Sequence, residues 1–269
     1  MVVQQGAQFY GIVVSRTNYK ERDMLVKILT DKYGFKTFLI RGARKPGFKL
    51  SAAILPFTHG IYLGSISDTG LSFLTTTKKI KQYQKLTTDI EANAYATYIL
   101  GLAERALSGE ELIQNGWFLK IKKLLDLIEK GLDPAIITNI FELQLLDILG
   151  VKQNFKSCVV CQTTSGSFDY SESYGGLLCQ KHWYLDEHRF RADQKTIYYL
   201  RLLSYIDLDD INSINVKQTT RDNLRKTIDR IYEDQVGIFV PAKKFIDQMA
   251  GWNQLFTKET WQKNAVKLF

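Results

Sequence analysis

Histidine and cysteine are scarce, with three of each in 269 residues. A disulfide framework pairs cysteines, so an odd number in a chain without an export signal argues against one. Long apolar runs are missing as well. No stretch approaches the roughly 20 apolar residues that a bilayer-crossing helix needs. The opening MVVQQGAQFYGIVVSR has no basic leader before an apolar run, which predicts a cytosolic location and no membrane partner. There is no internal repeat and no low-complexity tract.

Catalytic signatures are absent too. Gly42-Ala43-Arg44-Lys45-Pro46-Gly47 has the glycines of a phosphate-binding P-loop, but Phe48 stands where the lysine belongs and no Ser/Thr follows. A nucleotide-hydrolysing site is therefore excluded. His59 and His188 have no companion motif, and His59 beside Phe57 reads as a packed or surface residue. Asp207, Asp209 and Asp210 form the one dense acidic group and read as helix-capping residues. No catalytic residue is predicted.

What the chain does have is concentrated. Cys158, Cys161, Cys179 and His182 read C-x2-C, seventeen residues, then C-x2-H, and they use every cysteine. Two ligand pairs on tight turns, joined by a looped-out segment, supply the thiolate and imidazole donors that tetrahedral zinc prefers. A redox C-x-x-C would leave Cys179 and His182 unexplained. His188 is the alternative fourth ligand if the second knuckle is C-x8-H. Four protein ligands leave no open coordination position, so the expected cofactor is a structural zinc ion.

Charge is equally uneven. The net charge is +8, and residues 1–80 hold twelve of the 36 Lys/Arg but only four of the 28 Asp/Glu, so the rest is balanced. A positive field on one small domain attracts polyanions through counterion release. Nucleic acid is the favoured partner, with an acidic protein or a merely solvated face as alternatives.

The same region reads as five strands: Phe9 to Ser15, Met24 to Thr30, Phe35 to Arg41, Leu55 to Leu63 and Leu71 to Thr77. Five short strands with this basic excess predict an OB-fold barrel over residues 1–82, with an SH3-like barrel left open. Arg16, Lys20 and Lys36, together with Arg41, Arg44, Lys45 and Lys49 of a glycine-containing loop, are the candidate phosphate contacts. Among the aromatics, Phe48 and Tyr33 are the turn-located candidates for base stacking.

Beyond it the hydrophobic period changes to about 3.6, predicting an all-α domain over 83–250. Tyr95, Tyr98, Ile99, Leu102 and Ala106 line one helix behind a Thr88-Asp89-Ile90-Glu91 capping box. Trp117 through Ile128 line a second, ended by Gly131, and Asp133-Pro134 starts a third that Gly150 stops. Later helices carry Ile197, Tyr198, Leu200 and Leu203, then Leu224, Ile228, Ile231 and Tyr232. The zinc knuckle is inserted at 155–185, with a hairpin between its ligand pairs, making the fold class α+β and multidomain. Residues 251–269, with Trp252, Phe256, Trp261 and Phe269, are expected either to dock on the helices or to offer a surface to a partner.

Several of these segments together resemble the RecO family of bacterial recombination mediators. They are Gly11-Ile12-Val13-Val14 with Arg16, Tyr19, Glu21 and Asp23, Leu25 through Thr30, Gly34, Arg41-Gly42-Ala43-Arg44-Lys45 and Leu55-Pro56-Phe57. The cysteine pairs fall where that family carries its zinc site, with His182 where many relatives have cysteine, and residues from about Gly251 match nothing in it. The resemblance implies a non-enzymatic protein that binds single- and double-stranded DNA and anneals complementary strands. It also implies partnership with RecR and contact with the C-terminal tail of SSB, so that RecA loads on single-stranded DNA during repair. Localisation would be cytoplasmic, at the nucleoid when DNA is bound. A zinc-containing nucleic-acid-processing enzyme and a protein-binding adaptor are the competing readings.

Overall fold

The computed structural model describes residues 3–251, so the aromatic segment from Trp252 onward lies outside the described residues. Strands β1 (Val3–Tyr19), β2 (Asp23–Thr30), β3 (Gly34–Ile40), β4 (Thr58–Ser67) and β5 (Phe73–Gln82) form one antiparallel sheet in the order β3-β2-β1-β4-β5. Its two edges meet at one parallel bridge, Phe38 to Ser72. There the Leu39 N–H donates to the Ser72 carbonyl and the Ser72 N–H to the Thr37 carbonyl, each at 2.9 Å. This is the partly open five-stranded OB arrangement expected.

The fourth strand begins three residues later than the sequence suggests. Ala52–Ile54 form a short 3-10 turn, Pro56 has no N–H to give a ladder, and Phe57 sits at φ 62°, so pairing starts only at Thr58. The first and fifth strands run longer than expected, to Tyr19 and Gln82.

The middle of strand β1, from Phe9 to Val13, is buried on both sides because it is the seam between two cores. Phe9 and Val13 face the barrel interior with Val26, Phe38 and Tyr62, while Ile12 joins the helical core with Leu29 and Phe57. The period of two distributes these side chains to opposite faces. Phe9 stacks between Phe38 and Tyr62 at centroid distances of 5.5 and 6.1 Å, so these three rings fill the barrel and cannot contact a ligand.

Helices α1 (Gln84–Thr88), α2 (Ile90–Ala106), α3 (Gly109–Gln114), α4 (Trp117–Glu129), α5 (Pro134–Leu145), α6 (Gln194–Tyr205) and α7 (Gln218–Ile231) follow, with a further helical stretch from 241 to the end of the described residues. Asp89, not Thr88, caps α2: its carboxylate accepts from the Glu91 and Ala92 N–H groups. Thr88 ends α1 and its hydroxyl donates to the Gln84 carbonyl, so the expected capping box does not form. A true one stands at Ser108 and Glu111, where α3 begins. The Asp133 cap and first-turn Pro134 of α5 are as expected. On α6, Ile197, Leu200 and Leu203 are buried but Tyr198 faces out. None of the helices among the described residues is long and apolar enough to cross a membrane.

The inserted knuckle has three strands. The expected hairpin, β7 (Phe168–Ser171) with β8 (Gly176–Cys179), is joined by β6 (Asn154–Cys158), which pairs parallel to β8. Glycine at 176 is required there, because a Cβ would lie 2.6 Å from the Asn154 carbonyl oxygen. Phe155, Phe168, Tyr170 and Leu177 continue the helical core, and Arg201 of α6 donates to the Lys156 and Thr164 carbonyls at 3.0 and 2.9 Å.

Candidate nucleic-acid interface and metal centre

The knuckle brings its four predicted ligands together. The ligand atoms of Cys158, Cys161, Cys179 and His182 all lie within 4.8 Å of one another, and the cluster can hold a metal ion. His182 Nδ1 is 3.2 Å from Cys179 Sγ and 3.5 Å from Cys158 Sγ, and Cys161 Sγ is 3.7 Å from Cys179 Sγ. His188 is outside the cluster; its N–H instead bonds the Asp186 carboxylate at 2.8 Å. The first pair is held by the turn itself, in which the Gln162 N–H returns to the Cys158 carbonyl at 2.9 Å.

Electrostatics at the sulfurs favour a cation. Burial raises the Cys158 thiol, but the N–H groups of Cys161, Cys179 and Val160 and the His182 ring point at its sulfur and bring it down to about 6. Cys179 moves the other way, pushed up by burial and by the adjoining thiols of Cys161 and Cys158. Neighbouring sulfurs resist ionising side by side, and a bound cation removes that conflict.

The barrel carries the second candidate site. Arg16, Lys20, Arg41, Arg44, Lys45 and Lys49 are all exposed. The loop from Arg41 to Leu50 folds against the β1–β2 turn: the Gly42 N–H bonds Asp23 Oδ1 at 2.8 Å, and the Arg44 N–H bonds the Arg22 carbonyl at 3.1 Å. The Arg44 guanidinium also donates to the Glu21 and Lys20 carbonyls, at 3.0 and 3.4 Å. These bonds set Lys20 and the loop cations side by side. Arg16 lies on the same β1–β2 ribbon, opposite Val26.

Lys36 is elsewhere. It shares a face of β3 with the buried Phe38 and Ile40, and its ammonium donates to the Ser67 carbonyl at 3.2 Å, at the other end of the strand from Arg41. At the rise of a strand, five residues separate the two by about 16 Å. The stacking candidates also differ from expectation. Tyr33 is half-buried against Phe9, with its hydroxyl on Gln4 at 3.1 Å, and Phe48 is half-buried in the barrel wall. Phe73 of β5 is 39% exposed instead, with the Arg41 guanidinium 5.5 Å from its ring centroid. Strand alternation cannot reveal this, since Phe73 lies at the very start of β5. Exposed Arg22, Lys78, Lys79 and Lys81 add further positive charge; Arg22 was findable from its place beside Lys20 in the turn.

His59 packs at the seam between barrel and helices. Its Nδ1 lies 2.5 Å from the Tyr10 hydroxyl and its ring stacks on Tyr83 at 4.3 Å, while the Tyr83 hydroxyl donates to Asp126 at 2.6 Å. Burial, reinforced by Lys122, holds its pKa below the ordinary histidine range. This is the packed residue that the sequence suggested. The Asp207 carboxylate accepts the Asp209 N–H at 2.9 Å and caps a short 3-10 turn, also as expected.

Comparison with known proteins covers both halves. Residues 5–83 match the family described as Recombination protein O N terminal, and residues 87–244 match Recombination protein O C terminal. The DNA repair protein RecO of Ligilactobacillus salivarius strain UCC118 is 55% identical over 249 residues, which is 92% of this chain and 96% of that protein. RecO of Latilactobacillus sakei subsp. sakei strain 23K is 53% identical over 241 residues, covering 90% and 88% of the two chains. RecO of Enterococcus faecalis strain ATCC 700802 / V583 is 43% identical over 242 residues, covering 90% and 92%. With both domain families matched in order and relatives this similar along nearly the whole chain, the protein belongs to the RecO family.

Proposed function

We propose that this protein is a DNA-binding recombination mediator in DNA repair that makes and breaks no covalent bonds. It binds single- and double-stranded DNA through the barrel face of Arg16, Lys20, Arg41, Arg44, Lys45 and Lys49, with Lys36 contributing only to the general positive field. The observation that carries this reading is that none of those cations has an ion-pair partner among the described residues. Among the described residues Lys27 is the barrel's one paired cation, held by Glu104, and the remaining ion pairs lie in the helical domain and its inserted knuckle. An unneutralised cationic surface lowers the mutual repulsion of two strands and contacts their backbones irrespective of base sequence. Strand annealing follows from that. Family membership supports the rest of the role: cytoplasmic action with RecR, contact with the SSB C-terminal tail, and help in loading RecA onto SSB-coated single strands.

The ion at the knuckle is zinc. A tetrahedral site with Zn–S bonds of about 2.3 Å and a Zn–N bond of about 2.0 Å has edges of roughly 3.8 Å between sulfurs and 3.5 Å between sulfur and nitrogen. Three of the six spacings, 3.7, 3.5 and 3.2 Å, are near those edges, and all six lie within 4.8 Å. With four protein donors the ion braces β6, β8 and the His182 turn and offers no position to substrate.

Purified protein should anneal complementary oligonucleotides without nucleotide or added magnesium and return them at unchanged length. A shortened or covalently altered strand would favour a nucleic-acid-processing enzyme instead.

A further inference from the structure

Past the Phe38–Ser72 bridge, β3 and β5 pair no further, and the loop from Arg41 to Leu50 borders the gap between them. The result is a groove of about 880 Å³. Its charged lining is entirely cationic, from Arg41, Lys45 and Lys49, and most of the remainder is apolar, with Phe48 in one wall and Phe73 in the other. Phe73 leaves 39% of its surface open, and the Arg41 guanidinium sits 5.5 Å from its ring centroid. An open aromatic ring beside a guanidinium, with lysines within reach of the flanking phosphates, suits a base that has left its stack. Paired bases in a duplex present no free ring face, so this contact discriminates by strandedness.

We infer that Phe73, together with Arg41, seats an unpaired nucleobase of single-stranded DNA in this groove. The inference rests on the DNA-binding role proposed for the barrel face and assigns a substrate preference to one part of it. An acidic peptide with aromatic side chains has related chemistry. Nucleic acid is favoured because Arg41, Lys45 and Lys49 are continuous with Arg44 of the same loop and with Lys20 on the β1–β2 turn beside it, so a strand leaving the groove meets further cations along its backbone.

The test uses the full-length protein with a single strand and a duplex of equal length at one salt concentration. Phe73→Ala should weaken single-strand binding by a factor on the order of 10 and leave duplex binding unchanged, and Phe73→Trp should restore it. A fluorescent adenine analogue in the strand should change its emission on binding the wild type and not Phe73→Ala. Equal loss on both substrates, no loss, or a loss confined to an acidic aromatic peptide overturns the inference. If Phe73→Ala has no effect while replacing Arg41, Arg44 and Lys45 by alanine lowers affinity, the stacking site falls and the DNA-binding role stands. If both leave affinity unchanged, the barrel face falls as the DNA-binding surface as well.

Discussion

Arg225→Ala is expected to destabilise the helical domain by about 3–5 kcal/mol, among the largest effects of any single substitution in the molecule. Glu142 of α5 is wholly buried, and its carboxylate takes both arms of the Arg225 guanidinium, at 2.6 and 3.0 Å, and the Tyr98 hydroxyl at 2.7 Å. Asn139 and Asp229 hold the same guanidinium at 3.1 and 2.7 Å, and the Tyr232 hydroxyl donates to the Glu142 carbonyl at 2.9 Å. Burial opposes the charge on Arg225, but Glu142 and Asp229 keep its pKa well above even the ordinary arginine value. Arg225 of α7 and Tyr98 of α2 thus bond the Glu142 carboxylate directly, while Asn139 and Asp229 fix the guanidinium and Tyr232 fixes the Glu142 backbone.

Removing the arginine leaves that carboxylate charged and buried with only phenol and water-poor surroundings. Urea unfolding of wild type and variant checks the size of the deficit. A double replacement, Glu142→Leu with Arg225→Met, removes both charges and should recover most of the loss. Equal stability of Arg225→Ala and wild type would show that the pair contributes nothing.

Stripping the metal is the second large effect. A segment as short as the knuckle is expected to depend on the proposed ion for its order, since structural zinc contributes on the order of 10 kcal/mol to the folding of comparable small units. Part of that cost is already met here, because Phe155, Phe168, Tyr170 and Leu177 share the core of the helical domain. A net loss of about 5 kcal/mol, equivalent to a fall in Tm of roughly 10–20 °C for a domain of this size, is therefore expected. Elemental analysis should first find one zinc ion per chain. Chelator-treated protein, and Cys158→Ser with the ligand at its fully buried position altered, should then melt at that lower temperature. Acid should release the ion in the same way, as protons compete for the thiolates and the imidazole. An unchanged melting curve after complete metal removal would mean that the hydrophobic contacts hold the knuckle unaided.

Much of this organisation was legible from local pattern. The ligand spacing located the Cys/His cluster because two-residue knuckles impose their geometry on a short chain, whatever lies around them. Alternation located the barrel strands, and the Asp133-Pro134 signature located the start of α5, because these depend on neighbouring residues alone. The failures have non-local causes. β6 pairs parallel to a strand twenty residues away, and nothing in Asn154–Cys158 announces a partner at that distance. Asp89 displaced Thr88 as a cap because the preceding helix claims Thr88 for its own last turn. Charge alone does not say where Lys36 lies: its strand parity, shared with Phe38 and Ile40, sets its ammonium at the Ser67 carbonyl, away from the loop from Arg41 to Leu50. The groove at Phe73 exists only because β3 and β5 meet once and then separate, which is a property of the assembled sheet.

The most direct measurement is a salt titration of DNA binding by the wild type and by Arg41→Ala/Arg44→Ala/Lys45→Ala. If the loop cations neutralise phosphates, the triple variant binds a single strand more weakly at every salt concentration, and its log affinity falls less steeply with log salt by about 2 for three lost contacts. Circular dichroism that matches the wild type would establish that the barrel is intact. Superimposable titrations of the two proteins would place DNA elsewhere on the molecule and contradict a cationic barrel face as its binding surface.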